Sequence, residues 1–171
     1  MYESKEYVNM LAHANKGLIA PLMAWEFVPF RKIEKEGNWI KDFFNLKNLS
    51  YKLDWQINLL PLKNILKIGK KALVITDLKQ QFIYASEHFE TMTGYERDAV
   101  LGKTPKIFQG PATDTQELEK IGKNIKAHKP VVATIHNYKK DGSLYQCKIE
   151  IQPLRNKDNK VVSYMAIEEE L

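Results

Sequence analysis

From Leu144 to Leu154 the chain reads LYQCKIEIQPL, and its side chains alternate strictly. Tyr145, Cys147, Ile149 and Ile151 share one face, while Gln146, Lys148 and Glu150 share the other. Successive side chains of a strand point to opposite sides of a sheet. A period of two therefore dictates a strand with one face in a core and the other in water, the usual state of antiparallel strands. A chain containing this stretch must supply antiparallel neighbours for it and an apolar cover for the face that carries Tyr145.

The neighbours are legible on both sides. VVATIHNY (131–138) reads as a strand, and KKDG makes a tight turn in which Gly142 takes a positive φ at little cost. NKDNK turns the chain again before the last strand, VVSYMAIE. Earlier, ALVITD and QFIYAS are short β-branched and aromatic runs joined by the polar LKQQ, a second pair of strands. Between the two strand groups the pattern is helical. Ser86 is placed to cap a helix running to Met92, with Gly94 as its stop. Thr113-Asp114-Thr115-Gln116 has capping-box spacing. Leu118, Ile121 and Ile125 follow at helical spacing, and Pro130 ends that helix. Strand, strand, helices and three strands predict an α+β domain, a five-stranded antiparallel sheet with helices on one face. A ligand space is expected between sheet and helices.

The chain changes character near Leu66, which divides it into a helical N-terminal extension (1–66) and a sheet-bearing domain (67–171). Residues 3 to 19 read as a helix carrying Tyr7, Met10, Leu11 and Leu18, and Pro29 breaks whatever follows. Residues 39 to 46 form a short amphipathic piece with Trp39, Ile40, Phe43 and Phe44. Residues 59 to 68, with Leu59, Leu62, Ile65 and Leu66, read as a helix entering the next domain. All three tryptophans precede residue 66, so the extension is expected to pack on the domain, on a second copy, or on both.

Composition adds exclusions. Hydrophobic residues at 44% and charged residues at 27% fit an ordinary globular protein. The net charge of +5 comes from lysines scattered among acids, without a recognition helix, so no nucleic-acid partner is expected. Cys147 is the only cysteine, which excludes an intramolecular disulfide and fits a reducing cytoplasm. No apolar run near Met1 reads as a secretory signal, and none approaches a membrane span in length.

VITDLKQQFIYASEHFETMTGYERDAVLGKTPKIFQGPATDTQELEKI, followed by NYKKDGSLYQCKIEIQPLRNKDNKVVSYMAIE, resembles PAS domains, above all the LOV subgroup that binds flavin in photoreceptors. The order MTGY, GPATD, NYKKDG carries the likeness, over about 100 of the 171 residues. The resemblance implies the PAS fold and a sensory role. It also implies where a flavin would sit. In LOV domains a cysteine in a stretch like GxNCRFLQG bonds to the flavin under light; here that stretch runs from Gly102 to Gly110 and places Pro105 at the cysteine's position. Proline offers no nucleophile, so this photoadduct is not expected.

By the same resemblance, Gln109 and Asn137 match positions that touch the flavin ring, and Thr104 replaces an asparagine beside the missing cysteine. Cys147 replaces an asparagine that hydrogen-bonds the ring. Glu168 replaces the glutamine that senses flavin N5; an ionised carboxylate only accepts hydrogen bonds, whereas an amide does both. Of two arginines that clamp the phosphate, one position is Lys106, which keeps charge without the fork geometry, and the other is Gly122. The ligand stays open: FMN or FAD is implied, weakened by Pro105, Gly122 and Glu168.

His128 is expected as a solvated residue at a helix end rather than a haem ligand. No histidine pair has metal-ligand spacing, and no nucleophile elbow, phosphate-cradling loop or kinase motif is present. The expectation is a non-enzymatic sensory or interaction module of the cytoplasm, homodimeric through its N-terminal helices and outer sheet face. Two further readings stand beside it: a cysteine-less flavin sensor of redox state or light, and a regulator that binds another signalling protein by its sheet.

Overall fold

The computed structural model describes residues 38–171. The helix expected over residues 3 to 19 and the break at Pro29 lie outside the described residues. Two helices come first, α1 (Trp39–Lys52) and α2 (Leu60–Ile68). Strands β1 (Ala72–Thr76) and β2 (Phe82–Ala85) follow, then α3 (Glu87–Thr93) and the single turn α4 (Arg97–Val100). A 3-10 turn (Pro105–Phe108) leads to α5 (Thr115–Lys126). The chain ends with β3 (Val131–Tyr138), β4 (Leu144–Arg155) and β5 (Val161–Glu170). All five strands join one antiparallel sheet in the order β2-β1-β5-β4-β3. This is the α+β arrangement that the alternation of β4 demanded.

Each face of the sheet has its own core. On the inner face, Ala72, Val74, Ala133, Ile135, Tyr145, Cys147, Ile151 and Ala166 meet the helices that follow β2. Phe82, Phe89 and Phe108 form an aromatic cluster there, with centroids 5.7 to 6.0 Å apart in tilted and edge-on pairs. On the outer face, Leu73, Ile75, Leu154 and Met165 are buried under Leu46, Trp55, Leu62 and Leu66. The extension therefore covers the sheet of its own chain. The amphipathic piece expected over residues 39 to 46 runs further, to Lys52, because Leu46, Leu49 and Ser50 continue the sheet-facing stripe at helical spacing. Trp55 is fastened by a ladder bond from Gln56 N to the Arg155 carbonyl (2.7 Å) and by an ion pair between Asp54 and Lys157.

Two helix caps differ from the sequence expectation. Ser86 does precede α3, but its hydroxyl accepts a hydrogen bond from Leu73 N of β1 (2.9 Å) instead of capping the helix. The helix N-terminus is served by Asp42 of α1, whose Oδ2 accepts from Glu87 N at 2.6 Å. A side chain 45 residues away thus does the work expected of the local serine. At α5 the cap is Asp114, whose Oδ1 accepts from Gln116 N (2.8 Å) and Glu117 N (3.0 Å). Thr113, the first residue of the supposed capping box, instead accepts from Gly110 N (3.0 Å) and donates to the His136 carbonyl of β3 (2.7 Å). Gly94 ends α3 as expected, with φ at +73°.

Candidate functional site

The space between sheet and helices holds a cavity of about 440 Å³, within the usual range of small-molecule sites. Three pieces of structure build it. The sheet contributes Ile135 from β3 with Ile149 and Ile151 from β4, the inward members of the alternating pattern. Helix α5 contributes Leu118, Ile121, Gly122 and Ile125, one helical stripe. The 3-10 turn and the β1–β2 turn close the rim with Thr104, Pro105, Lys106, Gln109, Lys79 and Gln80. The turn that carries Gln109 is held against β3 by the two Thr113 bonds and by Ala112 N donating to the Tyr138 hydroxyl (3.1 Å). Gly110 is required there, since a Cβ would lie 2.4 Å from a Tyr138 ring carbon.

The residues singled out from sequence fall into two groups. Thr104, Lys106 and Gln109 line the cavity, as do Pro105 and Gly122. Asn137, Cys147 and Glu168 are buried on the same face of the sheet but do not line it. Cross-strand register explains their placement: Glu168 stands opposite Ile149 and Ala72, Cys147 opposite Ile135 and Glu170, and Asn137 opposite Tyr145. These three form a polar group in the sheet interior, together with Tyr145, which sequence reasoning assigned only to the core face.

This group is poorly satisfied. The Asn137 Oδ1 and the Tyr145 hydroxyl are buried without a hydrogen-bond partner among the described residues. Burial, reinforced by the Glu168 carboxylate, pushes both the Tyr145 phenol and the Cys147 thiol well above their ordinary ranges. Burial raises Glu168 to about 7, and no cation among the described residues is paired with it. Cys147 is fully buried and held as a neutral thiol, which makes it a packing residue rather than a nucleophile.

The fold, cavity and register agree with the family implied by the motifs, and residues 70–171 match the PAS domain family. The chain belongs to the PAS domain family. Among PAS domains it is LOV-like. It is 33% identical over 113 residues to phototropin-2 of Oryza sativa, a stretch that covers 64% of this chain and 12% of that protein. It is 34% identical over 100 residues to blue-light-activated histidine kinase 2 of Erythrobacter litoralis, 57% of this chain and 29% of the kinase. This PAS chain thus spans less than a third of the length of these curated relatives. Among solved structures, the LOV domain of the Erythrobacter litoralis EL346 blue-light activated histidine kinase superposes with a TM-score of 0.56 at 33% identity. It covers 58% of this chain and 94% of that one. A light-oxygen-voltage domain studied with a flavin analogue gives a TM-score of 0.60 at 32% identity, covering 65% and 84%.

Within this PAS domain, His128 is exposed just past the end of α5, as expected, and it also makes a bond that the sequence did not announce. It lies just past α5 with φ at +53°, and its Nδ1 meets the Tyr164 hydroxyl at 2.6 Å; that hydroxyl donates in turn to the Ile125 carbonyl (2.8 Å). This chain ties the end of α5 to β5.

Gly122 sits inside α5 with no atom of the described residues within 4 Å of where a Cβ would be. Glycine in a helix interior costs conformational entropy that alanine does not. Gly122→Ala is therefore expected to stabilise the fold by about 0.5–1 kcal/mol in urea unfolding. A loss of stability would mean that the helix needs glycine for a contact absent here.

Proposed function

We propose that this PAS domain is a non-enzymatic sensory module whose inner cavity takes a small ligand and whose occupancy is passed to a second copy or a signalling protein. The observation that carries the reading is the cavity itself: an apolar wall from α5, β3 and β4, with Thr104, Lys106 and Gln109 on its rim. A pocket of this form suits recognition, because polar groups at one edge orient a ligand while apolar walls bind it. The outlets favoured by the packing are α1 and α2, which lie on the sheet's outer face. Because these helices cover β1 and β5, a second copy would meet exposed side chains such as Leu60 and Ile68 of α2 and Val132 of β3. Light scattering tests this part: a strict monomer at high concentration removes the homodimer. A cytoplasmic setting accords with the lone reduced cysteine, and no helix among the described residues is long and apolar enough to cross a membrane.

A second reading makes the ligand FMN or FAD. Thr104 and Gln109 on the rim favour it, as does the likeness to a light-oxygen-voltage domain studied with a flavin analogue. Pro105 stands where that chemistry needs a thiol, and buried Cys147 does not line the cavity. The expected behaviour is then reversible flavin binding without a covalent adduct under blue light. A visible spectrum after incubation with FMN and gel filtration decides it. A retained flavin band that is not bleached through a thiol adduct supports this reading, and a colourless protein ends it.

A further inference from the structure

The cavity lining divides by exposure into a polar part and an aliphatic part. Every exposed lining group is polar and belongs to the rim, namely Lys79, Gln80 and Lys106. The interior is formed by Ile121, Ile135 and Ile151, all buried, backed by Ile125 and Ile149. A heteroaromatic ring needs hydrogen-bond partners along its inner edge. Yet the buried polar side chains of the inner sheet face, Asn137, Cys147 and Glu168, do not line the space. Lys79 and Lys106 are also without an ion pair among the described residues, whereas Lys71 and Lys139 are each paired with an acid. The rim therefore presents two cations that are unpaired among the described residues beside an aliphatic interior, and Gly122 leaves the helix wall free of a side chain.

We infer that this cavity binds a single-chain aliphatic anion, an alkyl carboxylate whose tail lies among the isoleucines and whose head meets Lys79 and Lys106. The inference rests on the ligand-sensing reading above and specifies its ligand. Two physical consequences follow. Each methylene transferred from water to the interior tightens binding about threefold to fourfold, until the cavity is full. The two lysines, being exposed, each contribute only about twofold to fivefold.

The test is isothermal titration of the delipidated full chain with hexanoate, octanoate and decanoate, with 1-decanol and FMN alongside. The expected result is one site whose affinity rises by the stated factor per methylene. Decanoate should bind more tightly than decanol in the wild type, and that advantage should vanish in Lys79→Gln/Lys106→Gln. Gly122→Leu, which adds a side chain to the cavity wall without removing a contact, should abolish binding while its thermal unfolding stays cooperative. Binding of FMN with no response to any alkyl carboxylate overturns the inference and leaves the sensory reading intact. Decanoate binding that Gly122→Leu does not disturb overturns it as well, because the site would lie elsewhere. Failure of both FMN and the alkyl series overturns the inference and ends the flavin reading as well.

Discussion

Glu168→Gln is expected to raise stability by about 3 kcal/mol near pH 8 and to leave it almost unchanged near pH 4. Glu168 is 7% exposed, on the inner face of β5 opposite Ile149 and Ala72, and forms no hydrogen bond or ion pair among the described residues. Burial raises its carboxyl from 4.5 to about 7. The folded state therefore holds the proton more tightly than the unfolded chain. The group is harmless below about pH 4.5, grows costly as pH rises toward 7, and carries the full penalty of an ionised buried carboxylate above that. The shift of about 2.5 units corresponds to about 3 kcal/mol at 1.36 kcal/mol per unit. Glutamine keeps the shape and never ionises. Urea unfolding of both proteins at the two pH values gives the answer. An equal difference at both would show that Glu168 does not titrate between them, and no difference at pH 8 would mean that a cation or water satisfies it.

Asp42→Ala is expected to cost about 2–4 kcal/mol. Asp42 is 2% exposed; its carboxylate accepts from Glu87 N at 2.6 Å and pairs with Arg97 Nη1 at 2.7 Å, while its backbone carbonyl accepts from the Tyr84 hydroxyl. Burial raises its pKa above the usual carboxylate range even against the Glu87 amide and the Arg97 charge. An ion pair that is expensive to bury is more expensive to break, because removing one partner strands the other. Alanine leaves the first turn of α3 uncapped and Arg97 without its closest anion; Glu90 lies further off at 3.9 Å. The partial exposure of Arg97 keeps the loss below that of a fully buried pair. Asp42→Asn can still accept from Glu87 N and should recover about half. Chemical denaturation measures both variants, and an alanine variant as stable as the wild type would show that α1 is not fastened through this residue.

These two residues mark different limits of sequence reading. Glu168 was legible as an inward position through the family pattern, which puts a flavin-sensing side chain there. Its missing partner was not, because satisfaction depends on what β1 and β4 bring alongside. Asp42 gave no signal at all. An aspartate early in a helix reads as a dipole-compensating surface charge, and nothing local says that it caps a helix beginning at residue 87. The serine expected to do so was correctly placed but drawn off by Leu73 N. Thr113 was likewise diverted to β3, leaving Asp114 to cap α5. Short polar side chains choose among nearby donors, and the winner is set by packing.

The cavity shows the same division. The helical spacing of Leu118, Ile121 and Ile125 and the alternation of Ile149 and Ile151 were visible, but each series read simply as core. Only their approach across a gap of about 440 Å³ turns them into a wall.

What the sequence determined by itself was periodic and local: the alternation that makes β4, the turn at Gly142, the succession of strands and helices along the chain and the motifs of a LOV-like PAS domain. Short-range backbone sterics and side-chain parity act within a few residues, so they are written in the chain. Tertiary structure alone decided that α1 and α2 cover the outer face of the sheet, that Asp42 serves α3, and that Asn137, Cys147 and Glu168 stay in the sheet while the isoleucines face the cavity. Those outcomes depend on burial and hydrogen-bond competition between segments far apart in the chain, and no local pattern encodes which partner arrives.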